Sequence, residues 1–356
     1  MRSNNPSWFS WPLARLWNRS PPNADRPVYI IGPDLSQPQP SNIDVAIVPS
    51  GLGAIVAQVP DGTSLGGNKR GNKAVDLQSS RSLSTSVASG SFSVIVGGTG
   101  NIASGTASVV VGGEDNNASA SNSSIGGGQF NGASGTSSTV GGGSSNTAAG
   151  GNSVVSGGTT NSANGTNSAV GGGQANVASG SNSVIPGGNG GTTRSLVGRL
   201  SFSSGTFTAA GDAQYGLIVV RRETTNNTSA VLTSNGSSAS SINIPAIPPT
   251  SLVSFRAQVV CIQTAGSAGA VNDGKVWEVV GAIKRDTSIS TTAIFGTPTI
   301  TVIAADTNLG TDNTTGAVIS ITADTSIVGA ILINVTGETN KTLRWVATVQ
   351  TTEVDY

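Results

Sequence analysis

Two suitably spaced carboxylates can hydrolyse a glycosidic bond. The C-terminal half of this sequence holds acids for such a pair: Asp212, Glu223, Asp273, Glu278, Asp286, Asp306, Asp312, Asp324 and Glu338. Most adjoin turns or polar runs, the setting of solvated surface acids. Other catalytic chemistry has fewer means. The chain has no histidine, so a Ser-His-Asp arrangement cannot form. Cys261 is the only cysteine, which removes intrachain disulfides and the usual zinc ligand sets. It sits in the strand-like run SFRAQVVCIQT and reads as a small buried hydrophobe rather than a reactive thiol. The triple-glycine runs lack the Lys-Ser/Thr of a phosphate-binding loop. The expectation is a chain that is not an enzyme, with no catalytic residue, cofactor or metal.

Binding chemistry is better represented. Trp8, Trp11 and Trp17 fall within residues 1–65 beside Arg2, Arg15, Arg19, Arg26 and many prolines. Aromatic and arginine side chains in a segment too short to bury them suggest an extended anchor that docks on a partner. Charged residues make up only 10% of the chain, 18 basic against 18 acidic. That balance offers no basic patch for nucleic acid. No apolar run suits a signal peptide or a membrane span.

The elements that would carry such a site begin with a repeat. From Ser91 to Gly180 six blocks of 15 residues follow one another without a gap, and a seventh starts as SNSVIPGG. Column 3 is Ser in every block. Column 5 is always β-branched: Ile95, Val110, Ile125, Val140, Val155, Val170 and Ile185. Columns 7 and 8 are Gly-Gly, and column 13 is Ala. Column 11 is Asn: Asn101, Asn116, Asn131, Asn146, Asn161 and Asn176. A fixed short period implies a chain coiled on itself, turn upon turn. Columns 3 and 5 share one face of a short strand, with the β-branched residue as core. Gly-Gly permits a sharp corner. Asn, which tolerates the left-handed region and can bond local backbone, suits a second corner. Roughly seven coils about 4.8 Å apart give a rod about 33 Å long, and the parallel β-solenoid shaft is placed over residues 66–190.

One β-branched side chain per coil is a thin interior for 15 ordered residues. Columns 4 and 6 point the other way and are small or apolar, as in Val94 and Val96, Ser124 and Gly126, or Ala169 and Gly171. This face is expected to be covered by identical chains, most simply three about an axis. Lys69, Arg70, Lys73, Asp76 and Arg81 supply charge where the shaft begins and read as a solvated or inter-chain ion-pair rim. After Asn189 the texture changes. Ten strands are predicted, at 196–202, 216–222, 230–232, 242–244, 252–262, 276–284, 299–303, 317–322, 330–335 and 342–353. Turn signals between them suggest a jelly-roll-like β-sandwich over 191–356. Trp277 and Trp345 sit among apolar neighbours and are expected in its core.

Segments such as NSVVSGG, NSAVGGG and NSVIPGG resemble the head repeats of trimeric autotransporter adhesins. That likeness implies left-handed parallel β-rolls, three chains to a head. Residues 66–90, GGNKRGNKAVDLQSSRSLSTSVASG, and the later runs KVWEVVGAIKRD and INVTGETNKTLRWVATVQTTEV resemble tail-fibre and virion structural proteins of cyanophages and other marine phages. The second resemblance implies a homotrimeric virion fibre, made in the host cytoplasm. Residues 1–65 would attach it to a tail adaptor, baseplate or other virion protein. The tip would meet a host-surface glycan or protein, through contact residues the pattern leaves unassigned. A purely structural fibre and a glycan-depolymerising spike stand as alternatives.

Overall fold

The computed structural model describes residues 53–355, so Trp8, Trp11 and Trp17 lie outside the described residues. Column 5 sets the architecture. Two-residue strands at Ile55–Val56, Val75–Asp76, Val94–Ile95, Val109–Val110, Ser124–Ile125, Thr139–Val140, Val154–Val155, Ala169–Val170 and Val184–Ile185 stack in parallel. Within the repeat the register steps by one block, from Ile95↔Val110 to Val170↔Ile185. A second parallel ladder runs from Ile102–Ala103 to Val177–Ala178. Column 9 adds a third line of single bridges, from Ser80↔Thr99 to Gln174↔Asn189. Each coil therefore meets the next along three lines of backbone contact. The described residues are all-β apart from short 3-10 turns, and no helix among them is long and apolar enough to cross a membrane.

The inside of the solenoid is narrow. The column 5 residues, Ile95 through Ile185, are fully buried and meet the column 13 alanines. The column 8 glycines cannot be replaced: at Gly113, φ is 89° and an added Cβ would lie 2.0 Å from the Gly128 carbonyl of the next coil. The asparagines differ from expectation. None of Asn101, Asn116, Asn131, Asn146, Asn161 and Asn176 has a positive φ; the left-handed non-glycine corners fall at columns 2 and 10, as in Asn122, Ser137, Asp115 and Phe130. The column 11 side chains are instead buried and bond between coils. Asn146 Oδ1 accepts the Asn161 N–H at 2.9 Å, and its Nδ2 donates to Gly142 O and Gly158 O at 2.9 Å. An amide has two donors and an acceptor with two lone pairs, so it can hold one corner and seed the next coil. Gln78 begins this ladder, accepting the Asn101 N–H at 3.0 Å; the Gly191 N–H ends it on Asn176 Oδ1 at 2.9 Å.

The charge at the start of the shaft is also placed differently. Asp76 occupies an inward position, in register with Ile95. Arg70 Nε and Arg81 Nη2 reach Asp76 Oδ2 at 2.7 and 3.3 Å, with all three side chains buried. This is an internal cluster of one chain rather than a solvated or inter-chain rim. An inward carboxylate there needs buried partners.

The ladder continues past residue 190, through Val177↔Thr192, Val184↔Leu200 and Gly188↔Ser203. From here the strands lengthen: β1 (Leu200–Phe202), β2 (Ala213–Thr224), β3 (Ser229–Val231), β4 (Ser251–Gly266), β5 (Gly274–Arg285), β6 (Ala293–Ala305), β7 (Val318–Asp324), β8 (Ala330–Thr336) and β9 (Lys341–Asp355). β1 pairs in parallel with the last coil and antiparallel with β2. The order β1-β2-β9-β4-β5-β6 therefore extends the shaft ladder into one 15-stranded sheet. A smaller sheet, β3-β8-β7, shares a core with it. Trp277 and Trp345 are fully buried in that core, their rings stacked at 5.6 Å and 25°. The strand predicted at 242–244 is a turn. Asn243 accounts for it: its Oδ1 accepts the Ser240 N–H, and its Nδ2 donates to Asn235 Oδ1 and Ser238 O.

Candidate functional site

Period-two alternation builds the surface that remains open. In β4, Val253, Phe255, Ala257, Val259 and Cys261 face the core, so Leu252, Ser254, Arg256, Gln258, Val260 and Ile262 face outward. β9 does the same, with Arg344, Val346, Thr348, Gln350 and Thr352 outward. Antiparallel register aligns these side chains across the sheet. One row reads Val219, Thr348, Gln258, Glu278; the next reads Leu217, Gln350, Arg256, Val280. Arg256 and Glu278 form an ion pair.

The rows meet in a shallow depression of about 420 Å³ lined by Arg256, Gln258, Glu278, Ile303, Thr348 and Gln350. Its amides and hydroxyl both donate and accept, and its single cation faces a single anion. A ligand dense in hydroxyl groups suits such a surface, while a polyanion gains no net charge there. The paired Val260 and Val346 border it with apolar surface. A smaller depression of about 280 Å³ adjoins the same strands, lined by Arg221, Arg222, Glu223, Gly236, Arg344, Trp345 and Val346.

Of the acids singled out in the sequence, only Glu278 lines the larger depression. Others hold turns: Asp212 accepts the N–H groups of Phe207, Thr208 and Ala209, and Asp324 those of residues 326–329. Asp306 accepts the Gly274 N–H, and Asp273 that of Ala270. Asp312 accepts the N–H groups of Thr314 and Thr315 at 2.8 and 3.0 Å. These bonds, with that from the Thr314 hydroxyl, draw its pKa down to about 2. Glu223 pairs with Arg344, and Glu338 with Lys341. Cys261 is buried, and desolvation pushes its thiol up to about 12.

The shaft residues stay apart from the depression: Ile95, Val110, Ile125, Val140, Val155, Val170 and Ile185 form the solenoid interior, and the asparagine ladder lines its corner. The depression itself was not singled out from sequence. Its signal was the strict alternation through 251–263 and 343–353, which assigns every second residue to one outward face.

The chain is similar to phage tailspike proteins. One is the tailspike of Acinetobacter baumannii bacteriophage Fri1, described as a capsular polysaccharide depolymerase, at 11% identity and a TM-score of 0.21 over 74% of this chain and 48% of that one. The tailspike of Acinetobacter phage vB_ApiP_P1 matches at 10% identity and a TM-score of 0.19 over 74% and 63%. That of Acinetobacter baumannii phage AM24 matches at 10% and 0.20 over 85% and 54%. The chain thus spans between about half and under two thirds of their lengths. No family model and no curated protein matches it. One expectation is corrected by these matches. The chain was read as not an enzyme, and a tailspike it matches is described as a depolymerase, so that exclusion is withdrawn.

Proposed function

We propose that the chain is a fibre or spike protein of a phage particle, three copies to a unit, that attaches the virion to a host-surface glycan. The observation that carries the reading is the single sheet that joins a repeat shaft to an open, hydroxyl-matching tip surface. Residues 1–65 are the arm that holds the virion, with Trp8, Trp11 and Trp17 as its anchors. Residues 66–190 are the shaft, and residues 191–356 are the tip.

The shaft face of columns 4 and 6 supports the trimer. Val96 and Val111 are each 50% exposed on a single chain, and the glycines beyond them leave a flat surface for a neighbour. Neighbouring strands of a sheet turn by about 20–25°, and the steps from β1 to β4 and β5 would carry the tip surface round from the shaft face. One face can therefore meet partner chains while the other meets the host. Three tips add avidity, so each site can be weak.

The test is binding of the full-length protein to purified host-surface polysaccharide, beside Gln258→Ala with Gln350→Ala. Loss of binding of tenfold or more in a folded double variant supports the reading; unchanged binding removes the depression from it. The size of the polysaccharide after incubation reports cleavage in the same experiment.

A further inference from the structure

Lys275 opens β5 opposite Cys261 and is fully buried. Among the described residues no carboxylate forms an ion pair with it. Its ammonium instead faces carbonyl oxygens: Asp312 O at 2.6 Å, Ala317 O at 2.7 Å, Leu309 O at 2.9 Å and Thr315 O at 3.4 Å. The Trp277 ring closes another side, its centroid 5.1 Å from Nζ. An ammonium has three protons, and the three short contacts use them all. The fourth carbonyl and the ring face add only charge complementarity.

All four carbonyls come from one stretch, 309–317. The loop curls so that its peptide dipoles converge on a point, an arrangement with no value to a neutral side chain. Burial lowers the lysine pKa, opposed in part by the charges of Cys261, Asp312 and Glu338 nearby; the hydrogen bonds to the carbonyls satisfy the buried ammonium directly. The shell is made of neutral oxygens. The carboxylate of Asp312 is turned away onto Thr314 and Thr315. Calcium sites are built on carboxylates. Carbonyl cages that replace a hydration shell are the chemistry of potassium-like ions.

We propose that residues 307–317 form a monovalent-cation loop whose ion is supplied by the chain as Lys275 Nζ, and that K⁺ or NH₄⁺ enters the same cage once that side chain is withdrawn. The loop is further tied to the rest of the tip by Lys341, whose Nζ donates to Asn308 O and pairs with Glu338. Its shape is thus set by resident charges and not by ions of the medium.

The experiment is thermal unfolding of full-length protein and Lys275→Ala in choline, sodium, potassium and ammonium chloride at equal ionic strength. The variant is expected to melt several degrees below the parent in choline. Potassium or ammonium, but not choline, is expected to restore at least half of that difference, with the parent indifferent to the cation. A variant that responds alike to all four salts overturns the proposal. If Lys275→Ala does not fold in choline, refolding yield decides: recovery in potassium or ammonium alone supports the cage, and equal failure in every salt refutes it.

Discussion

Asn146 shows what one side chain does for two coils. It keeps its own corner through Gly142 and receives the Asn161 N–H of the following coil. Asn146→Ala would leave that N–H and the Gly142 carbonyl without a partner, and the Gly158 carbonyl with the Ser144 N–H alone, at a cost of about 3 kcal/mol. Ser138 makes an instructive contrast, since its hydroxyl is buried with no hydrogen-bond partner. Ser138→Ala removes an unmet polar group and is expected to change stability by less than about 1 kcal/mol. Denaturant unfolding of both variants checks the pair. A second prediction concerns acid. The Asp312 carboxyl titrates lower in the folded chain, at about 2, than in the unfolded one, at about 3.9. Its contribution is therefore complete above the unfolded value and fades as pH falls towards 2. The gap in unfolding midpoint between the parent and Asp312→Asn should shrink between pH 5 and 2; a gap independent of pH would mean that the bonds from Thr314 and Thr315 do not favour the ionised carboxylate.

At the level of elements, the joint between shaft and tip rests on Glu353 of β9. Arg199 reaches one carboxylate oxygen from the last coil, and Arg194 reaches the other at 3.0 Å. Gln214 and Thr351 donate at 2.9 and 2.6 Å. Glu353→Gln leaves two arginines facing a neutral amide, and breaking a buried pair costs about 3–5 kcal/mol. Hydrogen exchange should then quicken at 192–203 while the inner coils stay protected. Equal exchange in both regions would count against a local joint. This joint was invisible in the sequence, because Arg199 and Glu353 lie 154 positions apart and only folding brings them together. Column 5 was legible for the opposite reason: a fixed period repeats the same environment, so one β-branched position speaks for all. The asparagine column was legible as a column but not as a role, since bonds to the next coil's backbone leave no mark on residue identity. The cluster of Arg70, Asp76 and Arg81 was misread because charge alone does not tell which way a strand faces.

For the whole molecule, the outward face of the shaft is where the proposed assembly can be tested. Val96 and Val111 are half exposed on one chain, so Val96→Glu with Val111→Glu should leave the single-chain fold intact. In the proposed trimer the same charges would meet across the axis. Light scattering should then report one chain where the parent reports three, with circular dichroism unchanged. A trimeric double variant would move the contact to another face. The direction of the ladder bonds has a mechanical consequence. They join coil to coil and therefore lie along the rod, so tension on a single chain opens one coil's bonds at a time instead of shearing many together. Each released coil frees about 50 Å of chain. In the proposed trimer a tethered particle pulled by flow would lengthen its line in steps, each chain's share of the load being capped by the strength of one coil.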